Sequence, residues 1–170
     1  MNAEALVSSL ARLPEVLPAL VSTVSDDDLH FRPADGGWSI LEILCHLLDE
    51  EREDFRPRLR STLEDPTREW RAIDPEGWVT QRLYSERDRA TTLREILVER
   101  ESSLAWLRSL QEPDWSQTHV HPRLGPLRAG NLLASWAVHD LLHYRQILRR
   151  LFERNREASG EYSSLYAGPW

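Results

Sequence analysis

The sequence has little of what would place it in a membrane or outside the cell. It contains one cysteine, Cys45, which excludes an internal disulfide and fits a reducing compartment. No run approaches the roughly 18 consecutive apolar residues of a transmembrane helix, and charged residues and prolines stand near the N-terminus where a signal peptide needs an apolar core. We therefore expect a cytoplasmic protein with no membrane partner.

An excess of positive charge is also missing. The chain has 21 basic and 28 acidic residues, a formal charge of −7, so neither a nucleic acid nor an anionic membrane surface is expected as its main partner. No strand pattern, internal repeat or low-complexity block is found. What remains is an ordinary globular composition, and 170 residues suffice for one domain with a continuous core.

Four stretches carry apolar residues at spacings of three and four, which predicts amphipathic helices. They span about residues 2–24, 39–63, 85–111 and 128–154. Pro14 and Pro18 predict a kink or a break in the first helix, and Ser39 with Glu42 predicts a capping box at the start of the second. Long connections after the second and third helices favour a four-helix bundle over residues 1–155. Residues 156–170 are expected to form a tail.

Three histidines are the candidate functional residues. His139 and His143 stand four residues apart, so they lie one turn apart on the apolar face of the fourth helix. His46 lies on the apolar flank of the second helix. Buried imidazoles need partners for both ring nitrogens, or a metal that takes a lone pair. Three imidazoles with one open position are typical of catalytic zinc, and nickel, iron or manganese would accept the same ligands.

Other polar residues are expected to be less informative. A ferritin-like di-iron site would need Glu-x-x-His pairs on two helices, and none of the three histidines stands in such a pair. His119 and His121 lie in an extended polar segment and are expected to be solvated rather than ligating. Cys45 diverges by about 100° from its neighbour His46 on a helix, so it is expected to be a buried packing thiol.

An acidic run follows His46. Asp49 and Glu50 lie one turn from it and are candidates to accept its second ring proton or to position a bound water. The rest of the run is expected to form a solvated face: Glu51, Glu53 and Asp54.

Tryptophans are the candidate walls of a pocket. Trp70 and Trp78 fall in a long loop over residues 64–84, of a length that often lines a site, although they would equally cover one end of the core. Trp136 lies on the same helix face as the two histidines of the fourth helix.

Two blocks of the sequence resemble a known family. Residues 37–47, GWSILEILCHL, look like the start of the second helix in the DinB/YfiT-like superfamily, and residues 119–147 resemble its last helix and the approach to it. The likeness covers about residues 3–155. It implies a four-helix bundle, often a homodimer, in which three histidines bind a divalent metal. Matched by position, these are His46, His139 and His143. Arg128 stands where relatives tend to have a capping Ser or Thr.

The resemblance also implies candidate activities. Members include transferases that join low-molecular-weight thiols such as bacillithiol or mycothiol to electrophiles, a mycothiol-dependent isomerase, and proteins proposed as metal-dependent hydrolases. The leading hypothesis is a thiol S-transferase of the detoxification type that uses zinc or nickel, with Trp70, Trp78 or Trp136 walling the pocket. One alternative is a hydrolase with Asp49 or Glu50 as its base. Another is a non-catalytic helical dimer.

Overall fold

The first bundle helix is broken into two pieces. In the computed structural model, which describes residues 1–170, α1 (Ala3–Leu10) and α2 (Leu13–Val21) are separated by a short turn. Pro14 stands in the first turn of α2, where its missing amide proton would have no partner within the helix. The predicted break is confirmed.

The second bundle helix runs from α4 (Ile40–Glu50) through a π-helical turn (Glu51–Phe55) into α5 (Arg56–Glu64). It begins with the predicted capping box: the Ser39 hydroxyl accepts from the Glu42 amide at 3.2 Å, and the Glu42 carboxylate accepts from the Ser39 amide at 2.8 Å. Every residue of α4 is buried, so a histidine on this helix faces other side chains rather than water.

The third and fourth bundle helices are α7 (Arg89–Ser109) and α8 (Ala129–Ala158). Asp88 caps α7, because its carboxylate accepts a first-turn amide at 2.8 Å. α8 continues past its predicted end. In place of a Ser or Thr cap, the side chain of Asn131 accepts from the amide of Arg128 at 2.9 Å.

Short elements fill the connections. They are α3 (Asp26–His30), α6 (Pro75–Gln81), 3₁₀ turns at Tyr84–Glu86 and Leu165–Ala167, and strands β1 (Thr118–His121) and β2 (Gly125–Arg128). The strands form an antiparallel hairpin in which His121 pairs with Gly125, whose φ of +73° suits glycine. The prediction of no strands is wrong, because four-residue strands are too short to show a clear alternation.

An apolar core runs through the middle of the bundle. Leu17 from α2, Ile43 and Leu44 from α4 and Ile147 from α8 are all fully buried. The predicted four-helix bundle, with long connections after its second and third helices, is confirmed. No helix combines the length and the apolar character that crossing a membrane requires.

A buried guanidinium joins all four bundle helices. Arg100 on α7 donates to Glu51 at 2.8 to 3.1 Å, to Asp140 at 2.5 and 3.0 Å, and to the backbone carbonyl of Leu10 at 3.0 Å. The indole of Trp136 donates to the same Glu51 carboxylate at 3.2 Å. The prediction that Glu51 lies on a solvated face is wrong, because a run of acidic residues does not reveal that one of them has a buried partner on another helix.

Loss of this guanidinium should destabilise the fold. Arg100→Met leaves the carboxylates of Glu51 and Asp140 buried without a counter-charge, and removing one partner of a buried ion pair typically costs about 3 to 5 kcal/mol. We expect the free energy of unfolding, measured with urea, to fall by that amount. Arg94 is exposed on the same helix, and Arg94→Met should change it by less than about 0.5 kcal/mol. Equal stability of the two variants would contradict this expectation.

Candidate metal centre

Three histidine rings meet between the second and fourth bundle helices. His46 comes from α4, while His139 and His143 lie one turn apart on α8. The Nε2 atom of His139 lies 3.4 Å from Nε2 of His46 and 3.0 Å from Nε2 of His143. Two nitrogens that bind one zinc ion at about 2.0 to 2.1 Å lie about 3.0 to 3.4 Å apart. The spacing of the rings therefore fits a shared divalent ion.

Burial keeps these rings neutral. Burial, together with the neighbouring His143, lowers the pKa of His46 to about 3 and that of His139 to about 2. Burial also lowers the pKa of His143, although the hydrogen bond that its ring donates to the Gln146 side-chain oxygen raises it. A neutral imidazole keeps a lone pair, which is the form that a metal binds.

The three rings cannot meet all of one another's hydrogen-bonding requirements. Nε2 of His139 carries either one proton or one lone pair, so it can complete only one of its two contacts. Nδ1 of His143 is paired with the Gln146 side-chain oxygen at 2.8 Å, and when it donates there its Nε2 carries a lone pair towards the cluster. Nδ1 of His46 is buried without a partner. A divalent ion would take up the lone pairs that this arrangement leaves over.

The two candidate catalytic carboxyl groups are both buried but differ in their partners. Asp49 accepts from the hydroxyl of Tyr84 and pairs with Arg82 at 2.8 Å. Glu50 lies 4.0 Å from Nδ1 of His46. In the metal-free protein, burial together with the neighbouring Asp54 raises the pKa of Glu50 to about 9. Glu50 is therefore adjacent to the triad, whereas Asp49 is held by other residues.

The three candidate tryptophans lie in three different places. Trp136 is a core residue, stacked on Phe55 with ring centres 5.8 Å apart. Trp78 lies in α6 rather than in a loop, with the guanidinium of Arg82 3.9 Å from its ring centre. Trp70 lines a separate cavity of about 740 Å³ beside the hairpin.

The two hairpin histidines do not join the triad. His119 is buried, its ring stacks on Trp70 with centres 4.0 Å apart, and its Nδ1 pairs with the carbonyl of Pro66 at 3.0 Å. The expectation that His119 is solvated is wrong, because its partners come from the loop before α6 and leave no periodic signal. His121 is half-buried, and its Nδ1 accepts two amides of the hairpin turn at 3.1 Å.

Two neighbours of the triad have no counterpart in the sequence-based predictions. Trp38 lies with its ring centre 4.6 Å from that of His46, and Gln146 holds the ring of His143. Both line a cleft of about 470 Å³ that reaches His46 and His143. Gln146 stands three residues after His143, so the helical period could have suggested this hydrogen bond.

Cys45 points away from this cleft into the core. It is 3% exposed, and its Sγ lies 3.8 Å from the carbonyl oxygen of Tyr84. Burial raises the pKa of the thiol to about 12. The prediction of a packing thiol is confirmed.

The low pKa values predict that the buried histidines make the metal-free protein less stable in mild acid. Histidines of the unfolded chain take up protons near pH 6.5, whereas His46 and His139 do so only near pH 3 and 2. Below pH 6.5 the unfolded state therefore binds more protons at these two histidines, and their contribution to stability falls as pH falls. Urea unfolding with EDTA should show a loss of about 1 to 2 kcal/mol for each of these histidines from pH 7 to 5. Glu50, whose pKa burial raises to about 9, acts in the opposite direction, because over that range its proton is bound only in the folded state.

His139→Gln should remove one histidine's share of that loss. An equal pH-dependent loss in the variant and the wild type would contradict the burial of a neutral ring at this position.

Comparison with known proteins agrees with this structure. The model of the DinB superfamily matches residues 9–147. A protein of Oceanobacillus iheyensis, named as a candidate metal-dependent hydrolase, is 27% identical over 143 residues, which cover 83% of this chain and 81% of that protein. The structure of YfiT from Bacillus subtilis, described as a probable metal-dependent hydrolase with an unusual four-helix bundle topology, superposes with a TM-score of 0.82 at 21% identity. This superposition covers 91% of the present chain and 88% of the YfiT chain. The chain belongs to the DinB superfamily.

Proposed function

We propose that the protein is a metal-dependent thiol S-transferase in which His46, His139 and His143 hold a divalent ion. The observation that carries the proposal is the contact of three neutral imidazoles through their Nε2 atoms at 3.0 and 3.4 Å. Structural zinc sites are closed by four protein ligands. The cluster of candidate ligands here consists of three residues, which leaves a position for a small molecule.

A divalent ion on three imidazoles lowers the pKa of a thiol or water that it binds. The residues around the triad would orient its rings. Gln146 accepts from Nδ1 of His143 and so directs Nε2 of that ring to the centre. Glu50 lies beside Nδ1 of His46 and would do the same for that ring after a shift of about 1 Å from its present 4.0 Å. Trp38 covers His46 from the cleft side.

The state of the carboxyl groups favours a thiol nucleophile over water. Hydrolysis commonly uses a side chain that takes a proton from the attacking water. Asp49 is already engaged by Tyr84 and Arg82, and in the metal-free protein burial raises the pKa of Glu50 to about 9. Thiol transfer needs no such base, because a thiol is far more acidic than water.

Hydrolysis is the second candidate function, supported by the names of the relatives in Oceanobacillus iheyensis and Bacillus subtilis. Zinc or nickel is the metal we propose, since both accept imidazole ligands.

A homodimer is supported by the apolar side chains that α8 exposes to solvent. These are Val138, Leu141, Leu142 and Leu148, whose exposed fractions lie between 43% and 53%.

Metal content and thiol transfer should be lost together. Protein purified without a His tag is expected to contain close to one zinc or nickel ion per chain by elemental analysis, and to consume an electrophile such as monobromobimane faster in the presence of bacillithiol or mycothiol. His143→Ala should lose both properties. His121→Ala removes an imidazole outside the triad and should retain both. A metal-loaded wild type that never consumes the electrophile with either thiol would contradict the transferase.

Variants of the carboxyl groups separate the two candidate functions. Asp49→Asn and Glu50→Gln should each keep thiol transfer within about tenfold of the wild type, because neither group acts as a base in it. A hydrolase that used one of them as its base would lose about 10²- to 10⁴-fold in rate in that variant. Rates of thiol transfer and of ester hydrolysis, measured on samples of equal metal content, decide between them.

A further inference from the structure

The cleft beside the triad continues along α8 into a larger cavity. The cavity that reaches His46 and His143 has a volume of about 470 Å³, and the adjoining cavity has a volume of about 1000 Å³. Asp35, His143 and Gln146 line both. A molecule bound at the triad can therefore extend into the second cavity. The side chains that line this cavity then indicate which chemical groups that part of the molecule carries.

The walls of the second cavity carry more positive than negative side chains. Arg145, Arg149 and Arg150 all face it. The one carboxylate that pairs with them is Glu153, which lies 3.0 Å from Arg149 and 2.8 Å from Arg150. No ion pair involves Arg145. Three guanidinium groups therefore face this cavity against two carboxylates, Asp35 in its wall and the ion-paired Glu153, in a protein whose overall charge is −7.

Arg150 is the buried member of this group. It is 5% exposed, yet its Nε and Nη1 atoms have no hydrogen-bond partner. The contact with Glu153 is short but lies outside hydrogen-bond geometry, since the Glu153 oxygen also lacks a hydrogen bond. A buried charged group without full hydrogen bonding is costly. A bound anion would provide the missing acceptors.

Position and packing hold this guanidinium at a fixed distance from the triad. Arg150 follows His143 by seven residues, which places its Cα on nearly the same face of α8, about 10 Å further along the axis. It lies against the loop before α4, where a Cβ added at Gly37 would be 3.4 Å from its Nη1. The group is therefore oriented before a ligand arrives.

We propose that Arg150 binds an anionic group of the substrate, a carboxylate or a phosphate, while another part of the same molecule reacts at the triad. This inference rests on the proposed function and specifies its substrate class. The substrate is a small molecule that reacts at one end and carries a negative charge at the other. Arg145 attracts the anion from the exposed rim of the cavity, and Arg150 donates hydrogen bonds to it at the buried end.

Titration with simple anions tests the proposal. Zinc-loaded protein is titrated with inorganic phosphate, succinate and uncharged succinamide by isothermal calorimetry. We expect phosphate or succinate to bind and succinamide not to bind, and the stronger of the two anions identifies the source of the charge. Arg150→Gln should weaken the binding of that anion by about 10- to 100-fold. The affinity of Arg150→Lys should lie between those of the wild type and Arg150→Gln, because an ammonium group lacks the planar arrangement of donors of a guanidinium.

Arg156→Gln is the matched control. Arg156 is exposed on the same helix and makes no ion pair, so this variant changes the net charge equally and should bind as the wild type does. The effect of Arg150→Gln should persist in a His143→Ala background. This result would exclude direct binding of the anion to the metal as the cause of the effect. Equal affinity of the Arg150→Gln and Arg156→Gln proteins, or no binding of either anion by the wild type, would overturn the proposal.

Two further measurements keep the result unambiguous. Circular dichroism checks the fold of each variant, and if Arg150→Gln does not fold, the exposed Arg145→Gln decides, with unchanged affinity overturning the proposal. Elemental analysis of the same samples separates the two hypotheses. A wild type without metal contradicts the transferase, whereas a metal-loaded protein whose anion affinity is insensitive to Arg150 contradicts this inference alone.

Discussion

The buried guanidinium of Arg100 is the interaction on which the geometry of the triad depends. From its position on α7, it donates hydrogen bonds to the end of α1, to the π-helical turn and to α8. Its two carboxylate partners, Glu51 and Asp140, directly follow Glu50 and His139 in the sequence. Rotating either helix to break these bonds would also turn the residues of the site away from the centre. A buried ion pair is weak support for stability, but this one fixes how the helices are rotated against each other.

Burial then determines the chemistry of the site. It lowers the pKa of the three histidines, so their lone pairs are available at neutral pH, and it raises the pKa of Glu50. The same burial leaves Nδ1 of His46 without a partner. The site therefore combines a set of neutral nitrogen ligands with no free carboxylate base beside them. That combination suits a nucleophile that loses its proton easily, and the basic cavity beyond His143 suits a substrate with a negative charge.

The sequence predicted the parts that depend on helical periodicity. The capping box at Ser39, the break near Pro14 and the pairing of His139 with His143 are local features, and they follow from residues a few positions apart. Glu51 and Arg100 are 49 positions apart, and helical periodicity cannot tell a buried charged residue from a solvated one. The stacking of His119 on Trp70 depends on an irregular loop. Such contacts between distant segments need the assembled fold.

X-ray absorption spectroscopy of the metal-loaded protein tests the central claim most directly, namely that His46, His139 and His143 hold one divalent ion. With zinc, the spectrum should show three imidazole nitrogens at about 2.0 to 2.1 Å and one additional light ligand. His139→Ala should lose one imidazole from the shell or lose the metal altogether. A shell that contains sulfur at about 2.3 Å in the absence of added thiol, or a wild-type spectrum without imidazole scattering, would contradict the account.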